Sequence, residues 1–398
     1  MSERALAVDV VRGLALVGMV VQHGLWSSGW LSFLGELPAV LFVVTTGAGA
    51  GLRHAAQDRH VGTRRRNLLD TVWRIGGLAV LGACLVAVDG PLAVVLPTLA
   101  AIALFLEPFG GARSWAASVA AVGLGACLLL AHITVESMPL DVRQSWWSSA
   151  IAVVGVETYP VPAWILCGAV GYAMGRHWTT VRSWSPAAAA VAGVGALVAA
   201  GTGRWAVAAL PADGWAELVD HQMWEWAHDD GTRMQLLDLA RLTPYSGSPV
   251  MVLMTTSIAV LLLLAAAAAL RREGVVKSLV PVSHLGRVAL TGYVLHVLLS
   301  ARCMSPDDLS WTCGELRDGR MVAAQLIAFL GVATLWRAVG WPANGPVELL
   351  LRLPRFVHGA VGARCTDESP DAVGVLSRQS TSQSAAAEVA PATETHRS

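Results

Sequence analysis

The sequence predicts an all-α fold: a polytopic integral membrane helix bundle of about ten transmembrane helices, with both termini cytoplasmic. Three observations lead there. Of the 398 residues, 55% are hydrophobic and 14% charged, and Lys occurs once, which lies outside the range of soluble globular chains. Runs of roughly 20 apolar residues, the length that crosses a bilayer, recur along the chain. Arg collects in alternate connections, and in membrane proteins those are the cytoplasmic ones. Formal net charge is zero, so no nucleic-acid partner is expected.

The apolar segments run at 5–27, 34–53, 67–88, 91–108, 114–133, 160–176, 186–210, 249–270, 279–301 and 320–341. The first lacks a basic leader and a small-residue cleavage site, so it reads as a span rather than a signal peptide. After the second comes the most basic turn, "RHAAQDRHVGTRRRN", and "GRHWTTVRS" and "RREGVVK" fall on the same side. On the other side, "ADGWAELVDHQMWEWAHDDG" and "SPDDLSWTCGELRDG" are acidic. Residues 1–364 are expected to form the membrane domain. Residues 365–398, rich in Ser, Ala and Thr, cannot bury a core and read as a disordered cytoplasmic tail. No internal repeat is visible.

An ionisable group inside a span costs about 2.5–3.5 kcal/mol on insertion scales and usually faces the bundle interior. The first segment holds three: Asp9, Arg12 and His23. Arg12 and His23 are close to three helical turns apart, on one face, with roughly 16 Å of rise between them. Asp9 is placed to pair with Arg12 one turn on. The face would line a path from a buried cation to an imidazole near the outer end. The same residues also fit a structural Asp9–Arg12 pair with His23 reaching for the interface.

The ninth segment, "VSHLGRVALTGYVLHVLLS", is the second polar helix. Arg287 and Thr291 share one side, and His296 lies at a depth similar to that of His23, so two imidazoles are expected at one mouth. Asp70 and Arg74 in the third segment read as an i, i+4 pair. Arg64, Arg65 and Arg66 are either ordinary positive-inside bias or a site for an anionic cytoplasmic ligand such as the phosphates of coenzyme A.

His221, Glu225 and His228 could share a helical face, but without a third close ligand no metal is expected. Trp146, Trp147, Trp215, Trp224 and Trp226 read as an interfacial belt or an acceptor-binding wall. Cys303 and Cys313 share one extracytoplasmic loop, where a disulfide and two free thiols are both open readings.

With these residues in view, the chain resembles the transmembrane acyltransferase superfamily, which includes the heparan-alpha-glucosaminide N-acetyltransferase-like proteins. "DVVRGLALVGMVVQH" is similar to its opening Asp-x-x-Arg-Gly helix. "GELPAVLFVVTTGAGAGL" is similar to its second helix, with Glu36 where lysosomal-type members carry Asp. "GRVALTGYVLH" and "NGPVELLLR" resemble its late and closing elements. Arg12-x10-His23 also matches the Arg-x10-His signature of the acyltransferase-3 proteins. Three features depart from the pattern, the first being that related bacterial proteins with a DUF418-type C-terminus commonly carry Asn at the position of His23. The loop "SSGWLSFLG" lacks the His that lysosomal-type enzymes carry there, and Arg64 to Arg66 and Arg74 do not form the Arg-x-x-Arg pair.

The resemblance implies acyl transfer from cytoplasmic acyl-CoA, acetyl-CoA first, to a hydroxyl or amine of a sugar, lipid-linked glycan or natural product. His23, with His296, would be the base and Glu36 would orient it; Asp9 and Arg12 would hold the inner tunnel, and Arg64, Arg65, Arg66, Arg74 and Arg287 would meet the donor. The expected setting is the cell membrane in contact with lipid, and a homodimer is compatible with the pattern. Two alternatives compete. One is a transporter or flippase, against which stands the lack of paired short, Gly/Pro-broken helices in the sequence. The other is a membrane-embedded cyclase acting on a prenyl lipid.

Overall fold

A computed structural model describes residues 3–24, 35–58, 64–88, 92–111, 114–136, 159–183, 185–208, 245–303, 319–339 and 345–353. Apart from short turns such as 92–95 and 245–248, these residues are helical, with no strand among them. In chain order the helices are α1 (Glu3–Gly24), α2 (Leu37–Gln57), α3 (Arg64–Val86), α4 (Leu96–Leu106), α5 (Ser114–Glu136), α6 (Val161–Arg176), α7 (Trp178–Ser183) and α8 (Ser185–Ala208). Then follow α9 (Pro249–Ala269), α10 (Glu273–Arg287), α11 (Ala289–Cys303), α12 (Gly319–Ala338) and the short α13 (Pro346–Leu350). A 3₁₀ turn, Glu107–Gly111, extends α4.

Local signals explain several starts. Pro occupies the first turn of α2, α4, α6 and α9, where its missing N–H costs nothing. Ser248 caps α9, its hydroxyl accepting from the Met251 amide at 3.1 Å.

Six helices are long and apolar enough to cross a membrane, and a seventh span arises if the bent pair α10–α11 counts as one. They sort into two rings. The spans of α1, α2 and α9 are 50–61% buried, whereas those of α3, α5 and α8 are 17–22% buried. The outer ring shows large apolar side chains such as Val80, Leu130 and Leu197 on its exposed face, which is how a lipid-facing surface looks.

The centre is built on backbone contact. Helix α6, with Trp164 and Tyr172 fully buried, lies directly on α2. A Cβ on Gly171 would run into the Val44 carbonyl oxygen, and one on Gly47 into that of Gly168. Such small-residue crossings give membrane helices their van der Waals contact where lipid removes the usual hydrophobic drive.

The ninth apolar segment is not one helix. It breaks at Val288 into α10 and α11, which meet at 66°. The expectation of a continuous 279–301 helix is therefore corrected, and the cause is long-range. Gly286 packs onto the Asp9 carbonyl of α1 so closely that any side chain would clash. The new N-terminus of α11 is satisfied from α13: Glu348 Oε1 accepts from the amides of Leu290 at 2.7 Å and Thr291 at 3.1 Å. A helix start leaves such amides without intrahelical partners, and a carboxylate answers both the hydrogen bonds and the dipole.

Candidate functional site: a histidine relay at the end of α1

The last turn of α1 carries Gln22 and His23, and α11 brings His296 against them. His23 Nδ1 and His296 Nε2 are 2.8 Å apart. The ring planes differ by 4° with centroids at 5.1 Å. With the nitrogens that close and the centroids that far, the rings lie edge to edge in one plane, joined by an in-line hydrogen bond rather than stacked.

On the far side, His296 Nδ1 lies 3.2 Å from Gln325 Oε1 of α12. His296 and Gln325 are buried. An amide oxygen only accepts, so His296 Nδ1 carries the hydrogen, and in the neutral ring Nε2 is then the acceptor. His23 Nδ1 must donate to it, which leaves the lone pair of His23 on Nε2. Among the described residues no partner meets that nitrogen. His23 also lines a small pocket with Gln22, Phe42, Tyr159, Tyr245 and Tyr293 in its wall.

Chemically this is a base with a reservoir. If Nε2 takes a proton, His23 can pass its Nδ1 proton to His296 Nε2, and the positive charge then rests beside the Gln325 oxygen. Replacing Gln325 with Leu removes the group that fixes both tautomers. Turnover should fall roughly 10–100-fold, the worth of outer partners that orient a functional His. Gln325→Glu, which keeps the acceptor, should retain most of it. Equal losses in both variants, measured at matched protein level, would show that Gln325 only fills space.

Glu36 is fully buried but does not meet His23. Its Oε2 accepts from the Tyr245 amide at 2.6 Å and its Oε1 from the Thr255 hydroxyl at 3.3 Å. Tyr245 has φ 63°, a left-handed conformation that a bulky residue seldom adopts. The carboxylate thus secures a strained turn that sets an aromatic ring in the cavity wall. The side chain that contacts the His23 imidazole is His296, which in turn meets Gln325.

The inner polar cluster contains the expected Asp9–Arg12 ion pair, with Nη1 4.0 Å from Oδ1, and adds a second cation to it. Arg287 Nε donates to Asp9 Oδ2 at 3.2 Å. Arg12 also donates from Nη2 to the Thr45 carbonyl of α2 at 3.1 Å. Between this cluster and His23, the fully buried Leu16 packs onto Gly292 at the start of α11. The face shared by Arg12 and His23 is therefore interrupted by an apolar layer.

Asp70 and Arg74 sit one turn apart on α3, and each has an interaction partner. Arg64, Arg65 and Arg66 open that helix, but their side chains lie outside the described residues. So do His221, Glu225, His228, the five loop Trp residues, Cys313 and the side chain of Cys303, and residues 365–398. Among the described residues no three His, Cys, Asp or Glu groups converge as metal ligands would.

Gln325, Gln22, Tyr245 and Glu348 were not singled out from sequence. Gln325 left a signal there: it is the sole strongly polar side chain in "MVAAQLIAFLGVATLW". No family model matches the chain, and no curated protein matches it.

Proposed function

We propose that this protein is an integral membrane acyltransferase that moves an acyl group, acetyl first, from cytoplasmic acyl-CoA to a hydroxyl or amine acceptor. The observation that carries this reading is the Gln325–His296–His23 relay, whose lone pair is left for the cavity. General base catalysis asks for a lone pair held within reach of the proton it takes, and a neutral imidazole supplies one. The similarity to the transmembrane acyltransferase superfamily supplies the donor.

In this proposal the chain crosses the cell membrane about ten times, with both termini cytoplasmic. His23 deprotonates the acceptor near the outer face. Asp9, Arg12 and Arg287 stand on the donor side of the Leu16 layer, and Glu36 acts through Tyr245. The acyl arm must pass Leu16, and the break at Val288 lies next to that layer, where α11 can shift.

Arg64, Arg65, Arg66 and Arg74 would hold the nucleotide phosphates. Replacing the first three with Gln should raise the donor KM more than it lowers kcat, because binding common to ground and transition states is lost. Purified protein in lipid nanodiscs, given radiolabelled acetyl-CoA and mixed alcohol and amine acceptors, checks both points. No label transfer to any acceptor would argue against the reading, and an unchanged donor KM would return the three arginines to a topological role.

A transporter is the second reading, and the 66° break favours it, since broken helices with satisfied half-helix ends are how transporters build a midplane site. Solute uptake into sealed vesicles without consumption of acetyl-CoA would select it.

A further inference from the structure

The outer ring of the bundle turns apolar side chains outward, as Val80 on α3, Leu130 on α5 and Leu197 on α8 show. The first half of α10 does the opposite. Its inner face is apolar and seated: Val276 and Leu279 pack on the core, and Val282 lies against Gly13 of α1. Its outer face carries Glu273, Lys277, Ser278 and Pro281, all exposed, and the turn leading into it adds exposed Arg271 and Arg272. Hydrocarbon rejects ionised side chains, so this face belongs at the level of the lipid headgroups rather than the acyl chains.

Lys277, Pro281 and His284 fall at i, i+4 and i+7 and so form one stripe along α10, with Lys277 and His284 about two turns apart. His284 is half-buried, and Arg337 in the last turn of α12 stands close enough to act on it electrostatically, as does Arg287. Arg287 is committed to Asp9 at 3.2 Å, whereas Arg337 is exposed. Glu273, one turn before Lys277, offsets part of the positive charge.

Helix α12 packs on α10 and supplies the other half of the surface. Val332 and Leu335, on the membrane side of Arg337, are exposed apolar side chains. The seam between the two helices therefore runs from a basic rim to an apolar wall. A phospholipid has the same layout, an anionic phosphate joined to an acyl chain, and long basic side chains reach from apolar surroundings toward such a phosphate. A soluble anion matches the rim and leaves the wall uncovered.

We infer that the seam between α10 and α12 binds an anionic phospholipid of the leaflet it faces, with the phosphate among Lys277, His284 and Arg337 and an acyl chain along Val332 and Leu335. Arg271 and Arg272 strengthen the positive field at the rim. The site rests on the membrane setting of the chain and is independent of acyl transfer.

Full-length protein in detergent is titrated with palmitoyl-oleoyl phosphatidylglycerol or phosphatidylcholine, and bound lipid is counted by native mass spectrometry. Phosphatidylglycerol should bind at least about tenfold more tightly. A basic side chain near a lipid surface is worth roughly fivefold in affinity. Lys277→Gln combined with Arg337→Gln should therefore remove most of the preference and leave phosphatidylcholine binding unchanged. Arg320→Gln, at the opposite end of α12, should change neither.

Lys277 is the single lysine of the chain, so its acylation by an amine-reactive ester, mapped by peptide mass, gives a second readout. Phosphatidylglycerol should slow that acylation roughly fivefold or more, and phosphatidylcholine should not. Equal affinity for the two lipids, or equal protection of Lys277 by both, would overturn the assignment in the wild-type protein without any variant. So would an Arg320→Gln loss as large as that of the double variant. Displacement of phosphatidylglycerol by inorganic phosphate at matched concentration would show a soluble-anion site and overturn the lipid.

Discussion

Replacing His23 with Gln should lower turnover by about 10²–10⁴, the usual range for loss of a general base, while the protein reaches the membrane in normal amount. Gln keeps a polar side chain of similar reach at the end of α1, so the fold loses little. What disappears is the titratable nitrogen and the shared proton with His296, 2.8 Å away in the native relay. His296→Gln should be milder, because His23 Nε2 still faces the cavity and only its tautomer is released. The comparison is made by initial rates at equal protein, with size-exclusion profiles to show that both variants are folded. Near-native turnover in His23→Gln would move the base elsewhere.

The second large effect is on the fold. Gly171→Val should abolish a monodisperse, folded species, because its side chain would have to occupy the space of the Val44 carbonyl oxygen on α2. Side-chain overpacking costs about 1–3 kcal/mol, and here the obstacle is backbone, which cannot rotate away, so the two helices must separate. Gly123→Val on α5 and Gly201→Val on α8 are the controls, since a Cβ at either meets nothing within 4 Å. Fluorescence-detected size exclusion and thermal melting in detergent read the difference. Equal behaviour of Gly171 and the controls would mean that α2 and α6 do not cross at this glycine.

These two sites differ in how far the sequence discloses them. The depth match of His23 and His296 follows from counting residues along two apolar segments, and the structure brings the two rings together. The α2–α6 crossing is written as Gly47-x3-Gly51 and Gly171-x3-Gly175, a small-residue pattern open to reading in advance. Gln325 was open to reading too, as an amide in an otherwise apolar run.

Other features depend on partners far along the chain. In "GRVALTGYVLH" the Gly286-Arg287 step precedes the break at Val288, but a single Gly and Arg inside a long span do not by themselves mark a helix end. The break is stabilised by Glu348, 58 residues beyond Leu290, and by contact of Gly286 with α1. The role of Glu36 depends on Tyr245, 209 residues later, and its turn. Asp9 has two candidate cations, and only the fold decides that Arg287 is the nearer.

The most direct test of the acyltransferase account is release of free coenzyme A thiol from acetyl-CoA by purified protein in nanodiscs, with mixed alcohol and amine acceptors and His23→Gln prepared in parallel. The account predicts thiol release matched by an equal amount of acetylated acceptor in the wild-type protein, and both signals reduced about 10²–10⁴-fold in the variant. Thiol release that is absent from the wild type with every alcohol, amine and sugar offered, or that is unchanged by His23→Gln, would contradict it.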